Sequence, residues 1–116
     1  MTLCDEILAI DNSIRFVAHL DKKLELVEMK QRPGVKSPTE EKTDEEFFGL
    51  IQPIILGASS KFEKHLGNLK TIRLKYQKAS IVFFSMPDAI VGFSMERGPT
   101  TPIIDKIGQR FKVDLK

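Results

Sequence analysis

Two nearly continuous apolar runs, residues 81–84 and 89–93, flank Pro87-Asp88. Val82-Phe83-Phe84-Ser85-Met86 returns across that gap as Val91-Gly92-Phe93-Ser94-Met95. A strand that is apolar throughout is covered on both faces. The stretch therefore predicts an antiparallel hairpin in the middle of a sheet, with Pro87-Asp88 as its turn. Repeat architectures need a longer period and several copies, so the likeness of the halves is that of two neighbouring strands filling one core. The segment before them reads differently. In TIRLKYQ, Ile72, Leu74 and Tyr76 alternate with Arg73, Lys75 and Gln77. That is a half-exposed strand, and lysine is a common guard on a sheet edge.

The same patterns order the rest of the chain. Thr2 can cap a first helix with Asp5 at its third position, and Leu3, Ile7, Ile10 and Ile14 fall at helical spacing. Asp11-Asn12-Ser13 supplies turn chemistry. Residues 14–20 suit a strand, residues 21–23 a turn and residues 24–30 a half-exposed second strand. Residues 31–44, QRPGVKSPTEEKTD, predict a long loop open to proteolysis. Thr43 and Glu46 have the spacing of a capping box, opening a helix to about Leu66 that Gly67-Asn68 would stop. Strands follow over 69–77, 80–86 and 89–95. Thr100-Thr101-Pro102 starts a last helix, with Pro102 at its favoured first position. The order is α-β-β-α-β-β-β-α, an α/β (α+β) domain. The predicted sheet is antiparallel and five-stranded, with strands two and three at its edges and helices on both faces.

The central helix carries more apolar surface than one sheet needs. Phe47, Ile51, Ile54, Ala58 and Phe62 form a stripe at 100° per residue, widened by Phe48 and Ile55, and this face is expected on the sheet. Gly49, Pro53, Leu56, Gly57 and Ser60 occupy the other side, where a solvent-facing helix would be charged. A helix apolar nearly all round is buried nearly all round, which points to a second chain as its outer cover. Close approach of the loop over 31–44 would explain the same small residues. Pro53 removes a backbone hydrogen bond and predicts a kink.

Length, 116 residues, fits one domain over 1–116. Charge changes the picture only by its distribution. Residues 1–68 hold nine Lys and Arg against twelve Asp and Glu, whereas residues 69–116 hold nine against four. No apolar run approaches the roughly 20 residues that span a bilayer. The acids in MTLCDEILAID do not suit a secretory signal, and the single Cys4 excludes an internal disulfide framework. Both point to the cytoplasm.

The element order, the long second helix and the closing three-strand meander resemble the roadblock (dynein light chain type) family, with related profilin-like and longin architectures. The resemblance covers Leu3 to Phe111 and extends to small archaeal proteins of that type. It implies a non-catalytic homodimer in which second helices pair and third strands join two sheets. Arg73 and Lys75 then belong with Gly49, Pro53, Leu56, Gly57 and Ser60 to a dimer or partner interface. It further implies a scaffold or regulator of a small Ras-like GTPase. A small-ligand sensing module is the alternative, since profilin-like folds can enclose ligands.

Chemical motifs are sparse. Cys4, His19 and His65 share no metal-ligand spacing. Cys4 sits at a helix start, where a dipole could lower its pKa, but a structural role is the simpler reading. Gly98-Pro99-Thr100-Thr101 precedes a helix N-terminus without a phosphate-loop pattern, and helix capping explains it. Lys70, Arg73, Lys75 and Lys78 could meet phosphates, but Tyr76 is the only nearby aromatic and faces the other way, so nucleic acid is disfavoured. Glu40, Glu41, Asp44, Glu45 and Glu46 suit a helix start rather than acid–base work. No cofactor, no metal, no membrane and no enzymatic activity is expected.

Overall fold

The computed structural model describes residues 1–34 and 41–116, and the side chains of all of these except residues 41–49 and 59. The elements are α1 (Leu3–Leu8), β1 (Ile14–Leu20), β2 (Leu26–Gln31), α2 (Glu41–Leu66), β3 (Thr71–Lys75), β4 (Ala79–Met86), β5 (Ala89–Glu96) and α3 (Thr101–Phe111). They fall into two compact units. Met1–Pro33 with Lys70–Lys116 holds the whole sheet, α1 and α3, and Gly34–Leu69 holds α2.

The sheet has five strands in the order β2-β1-β5-β4-β3, every pair antiparallel. Polarity had placed β2 and β3 at the edges, and they are the edges. The repeated stretch becomes a register: Phe84 lies opposite Val91, Phe83 opposite Gly92 and Val82 opposite Phe93. Side chains alternate between faces. One face carries Val17, Val82, Phe84, Val91, Phe93 and Met95, packed with Cys4 and Ile7 of α1 and with Ile103, Ile104 and Ile107 of α3. The Phe84 and Phe93 rings meet edge to face with centroids 6.1 Å apart, a favoured aromatic geometry. On the opposite face Ala18, Leu20, Phe83 and Ile90 are also buried. Gly92 has a specific reason to be glycine. A Cβ there would lie 2.6 Å from Cε1 of Phe83, whose ring covers the glycine.

Several boundaries differ from expectation, among them β3, which spans Thr71–Lys75 rather than 69–77. Leu24 does not begin β2. It turns left-handed (φ 66°) to close a turn in which the Asp21 carboxylate accepts from the N–H groups of Lys23 and Glu25, and its side chain is buried. Arg32 is not part of an open loop. Its guanidinium donates to Ile14 O (2.7 Å), Asp11 O (2.9 Å) and Leu8 O, tying the end of α1 to the start of β1. The remainder of the expected loop, residues 35–40, lies outside the described residues. Helix α2 begins at Glu41, so Thr43 falls in its first turn rather than at a cap, and Pro53 sits inside one continuous helix. In α3 Pro102 is the second residue, and Thr100 occupies the cap position without a side-chain cap bond. The capping box Thr2–Asp5 of α1 forms as expected, and Gly67, at φ 83°, ends α2.

Candidate functional site

Within the second unit the surface of α2 sorts by rotation. Ile51 and Ile55 are buried, and Ala58 beside Ile51 is half-buried. Opposite this line, Leu56, Ser60, Pro53, Leu50 and Ile54 are exposed and Gly57 is half-buried. At about 100° per residue these six positions span an arc of roughly 160°. None of them is charged. Leu50, Ile54 and Leu56 are 69%, 56% and 55% exposed, although each is a core-type side chain. A Cβ on Gly57 would meet nothing within 4 Å, so the surface is open there.

The arrangement corrects part of the sequence reading. Ile54 and Phe62, expected on the sheet, are both 56% exposed. Pro53, Leu56, Gly57 and Ser60 lie together on the expected outer side, joined by Leu50 and Ile54, which sequence reading missed. Their signal was available: both lie three or four residues from Pro53 or Gly57, a single helical step along the same face. The Gly49 and Phe47 side-chain positions lie outside the described residues.

Within the first unit β3 presents an open edge. Ser85 N–H donates to Lys70 O (3.1 Å) and Tyr76 N–H to Ala79 O (2.8 Å). With Ile72 opposite Phe83 and Leu74 opposite Ile81 between them, residues 70, 72, 74 and 76 direct their main-chain groups at β4. The N–H and C=O groups of Thr71, Arg73 and Lys75 therefore point outward, and no strand pairs with that edge among the described residues. Arg73 Nη1 donates to Thr101 Oγ1 (2.9 Å) and Thr100 Oγ1 (3.4 Å). The threonines expected to cap α3 are thus spent on fixing a guanidinium. Lys70 pairs with Asp114 (3.2 Å). Lys75 and Lys78 are exposed and make no ion pair among the described residues.

The remaining candidates for chemistry are structural. Cys4 is fully buried, its Sγ 3.8 Å from Val17 O and from Glu28 O. Burial, then its bond to Glu28, pushes the thiol up to about 12, the reverse of what a nucleophile needs. Asp5 falls to about 2, chiefly because Lys30 Nζ donates to it, with Thr2 adding bonds. Asp11 is also held below the carboxylate range, first by Lys106 and then by Ser13. These carboxylates hold the first helix and its following turn in place. Among the described residues no group of three or more His, Cys, Asp and Glu could hold a metal ion. No helix among them is long and apolar enough to cross a membrane.

No family model matches the sequence, and no curated protein matches it. Solved structures do. The chain is similar to an MglB with a tetrameric arrangement, at 11% identity and a TM-score of 0.70, over 97% of this chain and 81% of that one. Against the gliding protein MglB of Thermus thermophilus the identity is 14% and the TM-score 0.69, over 97% of this chain and 82% of that one. Against a roadblock/LC7 domain of Streptomyces avermitilis they are 6% and 0.67, over 95% and 89%. The chain has the roadblock/LC7 fold.

Proposed function

We propose that the chain, over residues 1–116, is a non-catalytic protein-interaction module of the cytoplasm. In this reading it forms a homodimer and serves as a scaffold or regulator of a small Ras-like GTPase. The observation that carries the reading is the uncharged, exposed arc of α2 centred on Pro53 and Gly57, with Leu50, Ile54 and Leu56 at its flanks. Each of those three half-exposed side chains would contribute about 1 kcal/mol or slightly more on burial. Two copies would gain on the order of 6–10 kcal/mol, against an association cost of the same order. The dimer is therefore expected to be modest in affinity, which suits a regulatory scaffold. The likeness in fold to an MglB of tetrameric arrangement supports self-association. The buried, protonated thiol of Cys4 supports binding rather than catalysis.

Sedimentation velocity up to hundreds of micromolar tests the dimer. The parent should sediment as a dimer and the Leu56→Glu variant as a folded monomer. A parent that remains a monomer overturns the self-association. For the partner, the immobilised chain is incubated with native lysate supplied with either GDP or a non-hydrolysable GTP analogue. Mass spectrometry should recover a Ras-like GTPase in a nucleotide-dependent manner. Recovery independent of nucleotide, or of no GTPase, removes that part of the reading.

A further inference from the structure

We propose that two copies of the chain, paired through β3, create a site for one phosphate-class dianion between their Arg73 and Lys75 side chains. The proposal rests on the reading of the chain as a homodimer and names a ligand that tightens this dimer. Three observations carry it. The outward main-chain groups of Thr71, Arg73 and Lys75 give β3 an edge that a second copy can extend. Arg73 and Lys75 stand on one face of that edge, beside the start of α3, while Ile72, Leu74 and Tyr76 lie on the other. Lastly, residues 69–78 contain four cations and no acid.

A two-fold axis pairs an edge strand with its own copy, antiparallel and with the same residues on both sides. The register that uses all three outward residues sets Arg73 opposite Arg73 of the second copy, and Thr71 opposite Lys75. Directly opposed side chains lie about 5 Å apart at Cβ, and like charges there destabilise. Two guanidinium groups then face each other across the axis, with a Lys75 ammonium diagonal to each. Thr100 and Thr101 hold Arg73 Nη1 through neutral hydroxyls, so each guanidinium is positioned with its charge uncompensated. Of the four cations in the segment, Lys70 already has an acid, Asp114. The planar guanidinium fork matches the oxygens of a phosphate, and a second negative charge lets one ion serve both copies. Chloride offers neither. The site is incomplete in one copy, so an ion that fills it binds the dimer and not the monomer, and stabilises the dimer by mass action.

The test is sedimentation velocity at fixed ionic strength, in chloride alone and in chloride with inorganic phosphate or glycerol 3-phosphate. At about pH 8 both phosphates are dianions, and about 10 mM of either is too dilute for general salting effects. The parent's dimer dissociation constant should fall about tenfold or more in phosphate. A larger fall with glycerol 3-phosphate assigns the site to an esterified group, a larger fall with inorganic phosphate to the free ion, and both support it. Titration calorimetry with phosphate should give one ion per two chains. Arg73→Gln and Lys75→Gln lie at exposed positions, and either serves if the other fails to fold. Each should abolish the phosphate dependence and dimerise in chloride at least as tightly as the parent, because like charges have been removed. A variant that weakens the dimer equally in both buffers shows a merely structural role and overturns the proposal. The Leu56→Glu variant, as a monomer, should not bind phosphate at the same concentrations. Retained binding there, or one ion per chain, also overturns the site, since a single copy would then hold the ion. A parent dimer equally tight with and without phosphate overturns the site and leaves the homodimer standing. A parent that is monomeric in both buffers overturns the homodimer and the site together.

Discussion

The β4–β5 hairpin and the middle of helix α2, residues 47–58, are both apolar on nearly every side, yet they end in opposite situations. In the hairpin, Val82, Phe83, Phe84, Val91 and Phe93 are all buried. In α2, Ile51 and Ile55 are buried while Leu50, Ile54 and Leu56 stay more than half exposed. A strand has two faces and two edges. In mid-sheet β4 and β5 have neighbours on both edges, and both faces carry buried residues. A helix has a continuous surface, and one line of contact uses only part of it. The same composition therefore reads as core in one element and as unfinished surface in the other.

The contrast can be broken most severely in the hairpin. Val91 is fully buried, and Val91→Asp places an unpaired charge there at a cost of several kcal/mol. Because small domains hold only about 5–15 kcal/mol in total, cooperative melting by circular dichroism should disappear. A soluble variant with a normal melt would remove the hairpin from the core. The matching change in the helix, Leu56→Glu, should leave the melt of the folded chain nearly unchanged and abolish the sedimenting dimer. Lys64→Glu, at an exposed polar position of the same helix, should do neither.

Two glycines sharpen the comparison at smaller scale. Gly92→Ala crowds the Phe83 ring and should destabilise by about 1–3 kcal/mol as an overpacked core does. Gly57→Ala fills open space in a helix interior and should stabilise by about 0.5–1 kcal/mol. Thermal melts should therefore shift in opposite directions. Equal shifts of one sign would mean that the two sites are packed alike.

The weakest effect concerns the polar ties of the first unit. Asp5, Asp11, Glu28 and Asp114 all have carboxyls held below their ordinary values, Asp5 and Asp11 mainly by lysine ammonium groups, Glu28 by the Thr2 hydroxyl and Asp114 by the Lys116 N–H. A carboxylate depressed in the folded state stabilises it above the unfolded value, near pH 4, and that stability is lost as pH falls through the folded value. Melting temperature should fall between about pH 4 and pH 2, and between pH 5 and 8, where their stabilisation is fully present, these groups should add no pH dependence. Asp11→Asn should lower the melt at neutral pH and flatten the acid slope. An unchanged slope would show that the Lys106 tie contributes little.

Much of this was legible in residue order. The alternation in TIRLKYQ marked β3 as an edge, and the continuous runs around Pro87-Asp88 marked β4 and β5 as interior. Thr2 with Asp5 gave the first cap. Legibility failed where a residue's partner is distant in sequence. Thr100 and Thr101 read as caps, but Arg73 claims both hydroxyls from 27 and 28 residues away. Arg32 read as a loop residue, but it finds three carbonyls 18 to 24 positions earlier. Ile54 read as a sheet-facing residue because the stripe was anchored on Phe47 and Phe62. The buried line runs instead through Ile51 and Ile55, turning Ile54 outward.

By itself the sequence determined the element order, the edge and interior strands and the presence of surplus apolar surface on α2. These follow from period and polarity, which are local properties of the chain. Only the tertiary structure decided which side of α2 is surplus and which main-chain groups of β3 point away from β4. It also decided that Arg73 is fixed by Thr100 and Thr101, while Lys75 and Lys78 make no ion pair among the described residues. Those outcomes depend on rotation, register and long-range hydrogen bonds, which arise when distant segments are brought together.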